Sequence, residues 1–227
     1  MPPRPPLLDR RAIVAATLEV LDERGLDGLS LHAVAARLGV RQPALYHHFR
    51  NKAEVLAAAA AEVLDRWHTE RLPEPDEDWR AFLARNAHSL RRAMLAVRDG
   101  ARLVASTGPR APNPANALAQ VELLERHGFA GVDAVLAYIA VSRYTIGATL
   151  EEQATPDRTA IVPGQDLPAG ADRLARLGAQ VAAIGADREF AAGLDALVAG
   201  LAPTAGAGGN TRPPDVVAPT GTSASRP

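Results

Sequence analysis

Between Leu38 and Lys52 the chain reads Leu-Gly-Val-Arg-Gln-Pro-Ala-Leu-Tyr-His-His-Phe-Arg-Asn-Lys, a run without an acidic residue. Gly39 opens a tight turn between this run and a short apolar helix that precedes it. Pro43 suits the first turn of the next helix, where its missing N–H would have no partner, and Gln42 then stands at the cap. Two short helices joined by so tight a turn, with a third packed against them, predict a helix-turn-helix.

Helical periodicity continues on both sides of this motif. Asp9 predicts the N-cap of a first helix that stops at Gly25, and Ser30 predicts the N-cap of the second. A long fourth helix is expected from Lys52 to about Leu72, where a proline-rich stretch ends it. Later breaks at glycine and proline predict six more helices, near 78–97, 101–107, 114–127, 133–152, 171–184 and 187–201. No segment alternates with the period of a strand, so we expect an all-α fold.

Composition excludes several classes of protein. The 227-residue chain has no cysteine, which excludes a disulfide scaffold, a thiolate metal site and a cysteine nucleophile. Charged residues interrupt every apolar stretch before the ~18 residues that a membrane span needs, and the residues from Met1 to Asp9 lack the apolar h-region of a signal peptide. We therefore expect a soluble cytoplasmic protein without a membrane partner. The common hydrolase, zinc-protease and phosphate-loop motifs are also missing, so an enzyme with a helical fold is only a disfavoured alternative.

Charge is distributed unevenly along the chain. Residues 1–52 hold eight basic and five acidic side chains, whereas the rest of the chain holds 17 basic and 21 acidic ones. A basic N-terminal module predicts a polyanionic partner at that end. On the outer face of the motif, Gln can pair with adenine, Ala can contact a thymine methyl group, and Tyr and His can reach phosphates. These features favour double-stranded DNA over the alternative, an ordinary helical hairpin. The candidate DNA contacts are Ser30, His32, Arg41, Gln42, Pro43, Ala44, Tyr46, His47, His48 and Lys52.

The run from Leu38 to Lys52 resembles the DNA-binding domain of the tetracycline-repressor family. Four later segments are similar to the effector domain of the tetracycline-repressor branch: Val63-Leu-Asp-Arg-Trp-His-Thr69, Phe82-Leu-Ala-Arg-Asn86, Arg98-Asp-Gly-Ala101 and Tyr144-Thr-Ile-Gly-Ala-Thr-Leu-Glu-Glu-Gln153. The similarity covers residues 9–201. It implies a repressor that binds a palindromic operator as a homodimer and is released by a small-molecule inducer.

The resemblance also implies a ligand site in the second part of the chain. The matching positions are His68, Asn86 and Gln120 for polar contacts, Leu90 and Pro109 for an apolar wall, Thr107 and Glu151 for an outer metal shell, and Leu174 and Val181 for residues that the partner subunit adds. Taken alone, an isolated polar residue on a helix is more often at the surface or satisfied by a local bond. Their occurrence together at matching positions favours the ligand site.

Three positions depart from the family pattern. Val104 stands where the family has its magnesium-binding histidine, Gly108 stands where it has an arginine, and Arg143 stands where it has a histidine beside the pocket. A hard cation needs oxygen or imidazole ligands, so we expect no metal and no cofactor. The inducer is therefore expected to differ from a magnesium–tetracycline chelate. Two alternatives stay open: a tetracycline-type repressor with an altered metal shell, and a helical DNA-binding activator without a small-molecule ligand.

These inferences divide the chain into four predicted parts. They are a flexible N-terminus over 1–8, a helix-turn-helix domain over 9–52, a helical effector-binding and dimerisation domain over 53–202, and a disordered tail over 203–227. The tail is rich in Gly, Pro, Thr and Ser and cannot bury enough apolar surface to order itself. The predicted helices near 133–152 and 187–201 are apolar on broad faces, so two copies of each can form a four-helix dimer interface.

Overall fold

The computed structural model describes residues 8–107, 113–154 and 170–203. Its elements are α1 (Arg10–Gly28), α2 (Leu31–Arg37), a 3₁₀ helix (Gln42–His47), α3 (Lys52–Trp67), α4 (Trp79–Leu95), α5 (Gly100–Ser106), α6 (Pro114–Arg126), α7 (Gly131–Ala154), α8 (Ala171–Ile184) and α9 (Ala186–Gly200). Within these three ranges there is no strand, and the all-α prediction is confirmed. No single described helix has the length and hydropathy of a membrane span, and α6 and α7 reach those values only together, across a bend of 113°.

Side-chain caps begin the first helices where the sequence predicted them. The Asp9 carboxylate accepts a hydrogen bond from the Ala12 N–H at 2.7 Å, and the Ser30 hydroxyl accepts one from the Ala33 N–H at 3.1 Å. The predicted cap at Gln42 is wrong, because Arg41 has the extended backbone of an N-cap and Gln42 is the first helical residue. The segment is a 3₁₀ helix, because its backbone hydrogen bonds join residues three apart, such as the bond from the Ala44 N–H to the Arg41 carbonyl. Short helical segments often have this form.

Two predicted helix ends are also wrong. Helix α1 does not stop at Gly25 but kinks there, with φ 69° and ψ 176°, and continues to Gly28. Helix α3 ends at Trp67 rather than near Leu72. The Arg71 guanidinium stabilises this early end, because it donates to the His68 carbonyl, an acceptor that a longer helix would have used. It also donates to the Leu64 carbonyl, which already accepts the last helical bond from the His68 N–H.

Separate apolar cores form around the first and the last helices. The N-terminal core joins α1, α2, the 3₁₀ helix and α3 through the fully buried residues Ile13, Leu21, Val34, Leu45 and Val55. The larger core joins α4, α6, α7 and α9 through residues that include Phe82, Leu123, Val141 and Leu194. Each large side chain that is fully buried contributes about 1.5–3 kcal/mol. Helix α3 belongs to both halves, since its Leu64 packs in a third cluster with residues of α4 and α5.

The turn between α4 and α5 connects the two halves. The Asp99 carboxylate accepts a hydrogen bond from the Leu26 N–H of α1 at 2.8 Å. On its other side, the Gln153 amide of α7 accepts from the Ala101 N–H at 2.9 Å and donates to the carbonyls of Met94 and Val97. This turn therefore holds α1 and α7 at defined positions relative to each other.

Candidate functional site

Most of the predicted DNA contacts lie on the surface of the N-terminal half. Val34 and Leu45 are buried and hold α2 against the 3₁₀ helix. Of the ten candidates, Ser30, His32, Arg41, Pro43, Tyr46, His47 and Lys52 are exposed, and Gln42, Ala44 and His48 are half-buried. Because the apolar residues of the motif face inward, the polar ones are available to a partner.

Gln42 and Tyr46 form a pair on the 3₁₀ helix. The Gln42 side-chain amide donates a hydrogen bond to the Tyr46 hydroxyl at 3.2 Å. The bond restrains both side chains before any partner binds. It leaves the Gln42 carbonyl oxygen and its second amide hydrogen for the bidentate pattern that adenine presents in a major groove.

The basic residues of this region have different environments. The Lys52 ammonium donates to the Leu29 carbonyl at 2.6 Å, so it secures the end of α1 and has two further hydrogens for a phosphate. Arg41 and Arg50 form no ion pair with any residue that the structure describes. Both are exposed, and we therefore add Arg50 to the candidate phosphate contacts. Its position in the basic run from Arg41 to Lys52 could have indicated this role from the sequence.

His68 follows the last residue of α3 and is buried, with 7 % of its surface exposed. Its Nδ1 lies 3.0 Å from the Ser89 hydroxyl of α4. Burial, with smaller contributions from the charges of Arg71 and Arg92, lowers the pKa of His68 from 6.5 to about 4. The imidazole is therefore neutral at pH 7 and presents a polar but uncharged group.

We expect His68 to make the protein sensitive to acid. The unfolded chain takes up this proton near pH 6.5 and the folded chain only near pH 4. Stability that is present above pH 6.5 is therefore lost as the pH falls toward 4, by about 2.5 kcal/mol at pH 4.5. In urea unfolding at pH 7 and pH 4.5, His68→Gln should lose less stability than the wild type by that amount. Equal losses in the two proteins would contradict the assignment.

Asn86 and Gln120 meet beside His68 at the backbone of residues 70–71. The Asn86 amide donates to the Glu70 carbonyl at 2.8 Å, and the Gln120 amide donates to the Arg71 carbonyl at 2.7 Å. The Tyr138 hydroxyl of α7 donates to the Asn86 side-chain oxygen at 3.4 Å. The structure thus brings the three predicted polar residues together.

Two members of this polar cluster were missed from the sequence. Tyr138 lies in an apolar helix and Ser89 in a mixed one, and neither position carries a local signal. Burial raises the pKa of Tyr138, so its hydroxyl stays protonated. His68, Ser89, Asn86, Gln120 and Tyr138 together form the polar cluster.

An apolar wall lies next to the polar cluster. Leu90 is buried together with Leu64 and Met94, and Val104 packs against the same group. Thr107 follows α5, and its hydroxyl donates to the Val104 carbonyl at 2.9 Å. The predicted position Pro109 lies outside the described residues.

The donor set around Val104 does not fit a magnesium ion. An isopropyl group has no lone pair to offer, so Val104 cannot bind a metal ion. Across the described ranges there is no group of three His, Asp or Glu side chains placed to hold a metal. Hard cations require several oxygen ligands, so the described side chains of this wall do not by themselves provide a magnesium site.

The remaining candidates lie away from the polar cluster. Arg143 and Glu151 line a groove between α7 and α9, with a volume of about 320 Å³, together with Tyr144 and Phe190. Leu174 and Val181 lie on α8 and are 61 % and 47 % exposed. Within one chain, the positions that the resemblance assigned to a single site are therefore found in three places.

Comparison with known proteins agrees with both halves of this architecture. The model of the family described as "Bacterial regulatory proteins, tetR family" matches residues 13–59. The model described as "Tetracyclin repressor-like, C-terminal domain" matches residues 72–205. The first match contains the helix-turn-helix, and the second contains Asn86, Gln120 and the α7–α9 groove.

Individual relatives align over most of the chain. The class C tetracycline repressor protein of Escherichia coli is 44% identical over 199 residues, which are 86% of this chain and 90% of that protein. The class A protein from transposon 1721 of Escherichia coli is 50% identical over 147 residues, 65% of this chain and 68% of that protein. The solved structure of class A TetR with 5a,6-anhydrotetracycline and magnesium has 40% identity and a TM-score of 0.66, covering 86% of this chain and 98% of that one. The chain therefore belongs to the TetR family of ligand-responsive transcriptional repressors.

Proposed function

We propose that the protein is a homodimer that binds a palindromic operator and is released by a small-molecule inducer, which is not a magnesium–tetracycline chelate. Helix α3 carries this proposal. It begins at Lys52, beside the exposed residues of the helix-turn-helix, and ends at Trp67, directly before His68 of the polar cluster. One rigid element thus connects the candidate DNA surface with the candidate ligand site.

The operator is expected to be a palindrome because the two subunits of a symmetric dimer present identical motifs. Their 3₁₀ helices would enter major grooves about 34 Å apart. Gln42 and Tyr46 would face base edges, while Arg41 and Arg50 would contact phosphates. Binding of this kind at a promoter represses transcription.

Release requires a ligand that binds better to a conformation with the wrong spacing of these helices. The amides of Asn86 and Gln120 are bonded to the carbonyls of Glu70 and Arg71, just after α3. A ligand that takes over these amides frees residues 70–71, and the C-terminal end of α3 can then shift. The polar cluster is uncharged, so it suits a ligand with neutral hydrogen-bonding groups.

DNA binding is tested with duplexes from the region upstream of the protein's own gene. In fluorescence anisotropy at several salt concentrations, Arg41→Ala and Arg50→Ala should each reduce the slope of log K against log salt by about 1.8, because each removes one phosphate contact from each subunit of the dimer. Arg80→Ala on α4 is the matched control. Arg80 is also an exposed arginine, but it lies over the Trp79 ring of α4 and outside the helix-turn-helix. Unchanged slopes in both motif variants would contradict the assigned surface.

The same assay tests the inducer with 5a,6-anhydrotetracycline as the probe. We expect magnesium to leave the effect of this probe on the wild-type operator complex unchanged, because Val104 provides no metal ligand. Val104→His supplies an imidazole at this position and should make release depend on magnesium. Magnesium-dependent release of the wild type would instead favour a tetracycline-type repressor with an altered metal shell.

A further inference from the structure

Lys52 carries the only side-chain amine of the sequence, since 24 of its 25 lysine and arginine residues are arginines. A guanidinium stays protonated in proteins and is a poor nucleophile, whereas a lysine amine can lose its proton and be acylated. Lys52 is also exposed. A reagent that acylates amines therefore has a single side-chain target in this protein.

This amine lies within the candidate DNA surface. Lys52 is the first residue of α3 and follows the exposed Arg50 by two positions. Its ammonium donates to the carbonyl of Leu29 at 2.6 Å, and Leu29 is a buried residue between α1 and α2. The amine thus holds the start of α3 against the segment that leads into the helix-turn-helix, and it keeps two hydrogens for a phosphate.

Acidic groups near Lys52 are already paired with arginines. Hydrogen bonds and charge from Arg102, with a smaller contribution from the charge of Lys52, lower the pKa of Asp27. The two bonds from Arg102 to the Asp27 carboxylate are 2.8 and 3.1 Å long. On α3, Glu54 pairs with Arg10 at 3.2 Å. The positive charge of Lys52 is therefore not cancelled by a free carboxylate of these two residues, and such a surface attracts small anions.

We propose that Lys52 is an acylation site that reacts with acyl phosphates and switches off operator binding. The neutral amine attacks the carbonyl carbon of the acyl phosphate. An N–C bond forms while the C–O bond to phosphate breaks, phosphate leaves with the electron pair, and the amine proton passes to water. The basic surface favours an acyl phosphate over an uncharged acyl donor, because it concentrates anions. This inference rests on the proposed operator binding and adds a second control beside the inducer.

Acylation removes the charge with which Lys52 would contact a DNA phosphate. The product amide has one N–H, so it cannot serve both the Leu29 carbonyl and a phosphate. A symmetric dimer loses one phosphate contact in each subunit, and the slope of log K against log salt should fall by about 1.8. At a salt concentration of about 0.15 M this corresponds to about 30-fold weaker operator binding. Because bound DNA covers the amine, the modification acts on repressor that an inducer has released.

Acetyl phosphate tests the site on the purified full chain. Mass spectrometry should find an acetyl group on Lys52, and anisotropy with the upstream duplexes should show the loss of about 30-fold. Lys52→Arg is the matched control, since a guanidinium is not acylated, and treatment should leave its affinity at its own starting value. A saturating operator duplex, added to the wild type before the reagent, should slow acetylation of Lys52 at least about tenfold. This protection is measured without any variant.

Arg50→Ala tests the preference for an acyl phosphate. It should slow acetylation of Lys52 by acetyl phosphate at least about threefold, and it should not slow the reaction with uncharged N-acetoxysuccinimide. Arg80→Ala should change neither rate. Equal slowing with both reagents would overturn the assignment of the acyl donor.

Two further results would overturn the inference as a whole. One is a Lys52 that acetyl phosphate does not modify, and the other is acetylated protein that binds the operator as tightly as before. A wild-type chain that binds none of the duplexes would instead refute the proposed operator binding itself.

Discussion

Arg91→Ala should lower the free energy of unfolding by about 3 kcal/mol, because it breaks the ion pair between a buried arginine and the largely buried Glu152 carboxylate. Arg91 lies on α4 with 5 % of its surface exposed. Its guanidinium donates two bonds to Glu152 of α7 and one, at 2.7 Å, to Asp187 of α9. It also lies over the Phe190 ring, 5.1 Å from the centroid. Its loss leaves the Glu152 carboxylate without a counter-charge and removes a contact shared by three helices.

The neighbouring residue provides the control for this prediction. Arg92 pairs with Glu70 at 2.7 Å, but its side chain is 55 % exposed. Exposed ion pairs contribute at most about 1 kcal/mol, so Arg92→Ala should have a small effect. Urea unfolding at equal protein concentration measures both variants, since association also changes apparent stability. Similar losses of unfolding free energy for Arg91→Ala and Arg92→Ala would show that the burial of Arg91 does not increase the stability that its ion pairs provide.

Gly25→Ala should destabilise the protein by about 3 kcal/mol, for two reasons that add. The backbone there has φ 69° and ψ 176°, a region that is almost restricted to glycine. A Cβ would also lie 2.8 Å from an Asp99 carboxylate oxygen, the same atom that accepts the hydrogen bond from Leu26. The substitution therefore strains α1 and disturbs the contact that joins it to the α4–α5 turn.

Gly39→Ala separates these two contributions. Gly39 also has a positive φ, 67°, but a Cβ there would meet no atom within 4 Å. Only backbone strain is added, and we expect a loss of about 1 kcal/mol. Thermal and urea unfolding compare the two variants. If Gly39→Ala costs as much as Gly25→Ala, the contact with Asp99 has no energetic importance.

Several features of the fold could be predicted because they depend on neighbours in the chain. Asp9 and Ser30 cap helices through hydrogen bonds that span three residues, so the residue type at one position was sufficient. Leu45 and Val34 were placed in the core by their helical spacing alone. The early end of α3 could not be predicted, since it depends on the reach of Arg71 back to earlier carbonyls.

The candidate ligand site shows the same contrast. The resemblance selected His68, Asn86 and Gln120, and the structure places them within one network. The hydrogen bonds from Asn86 and Gln120 to the carbonyls of residues 70 and 71 depend on how α4 and α6 pack. Tyr138 joins them from α7, 52 residues after Asn86. No local pattern marks a contact at that separation.

The helical character of the chain, the caps at Asp9 and Ser30 and the polar outer surface of the helix-turn-helix follow from the order of residues, because short-range sterics and hydrogen bonds govern them. Long-range packing governs the rest: which buried polar groups meet, that Arg91 joins three helices, and that Arg143 and Glu151 lie on the groove instead of beside His68. Such contacts form only when distant helices come together, and their geometry reflects every side chain between them.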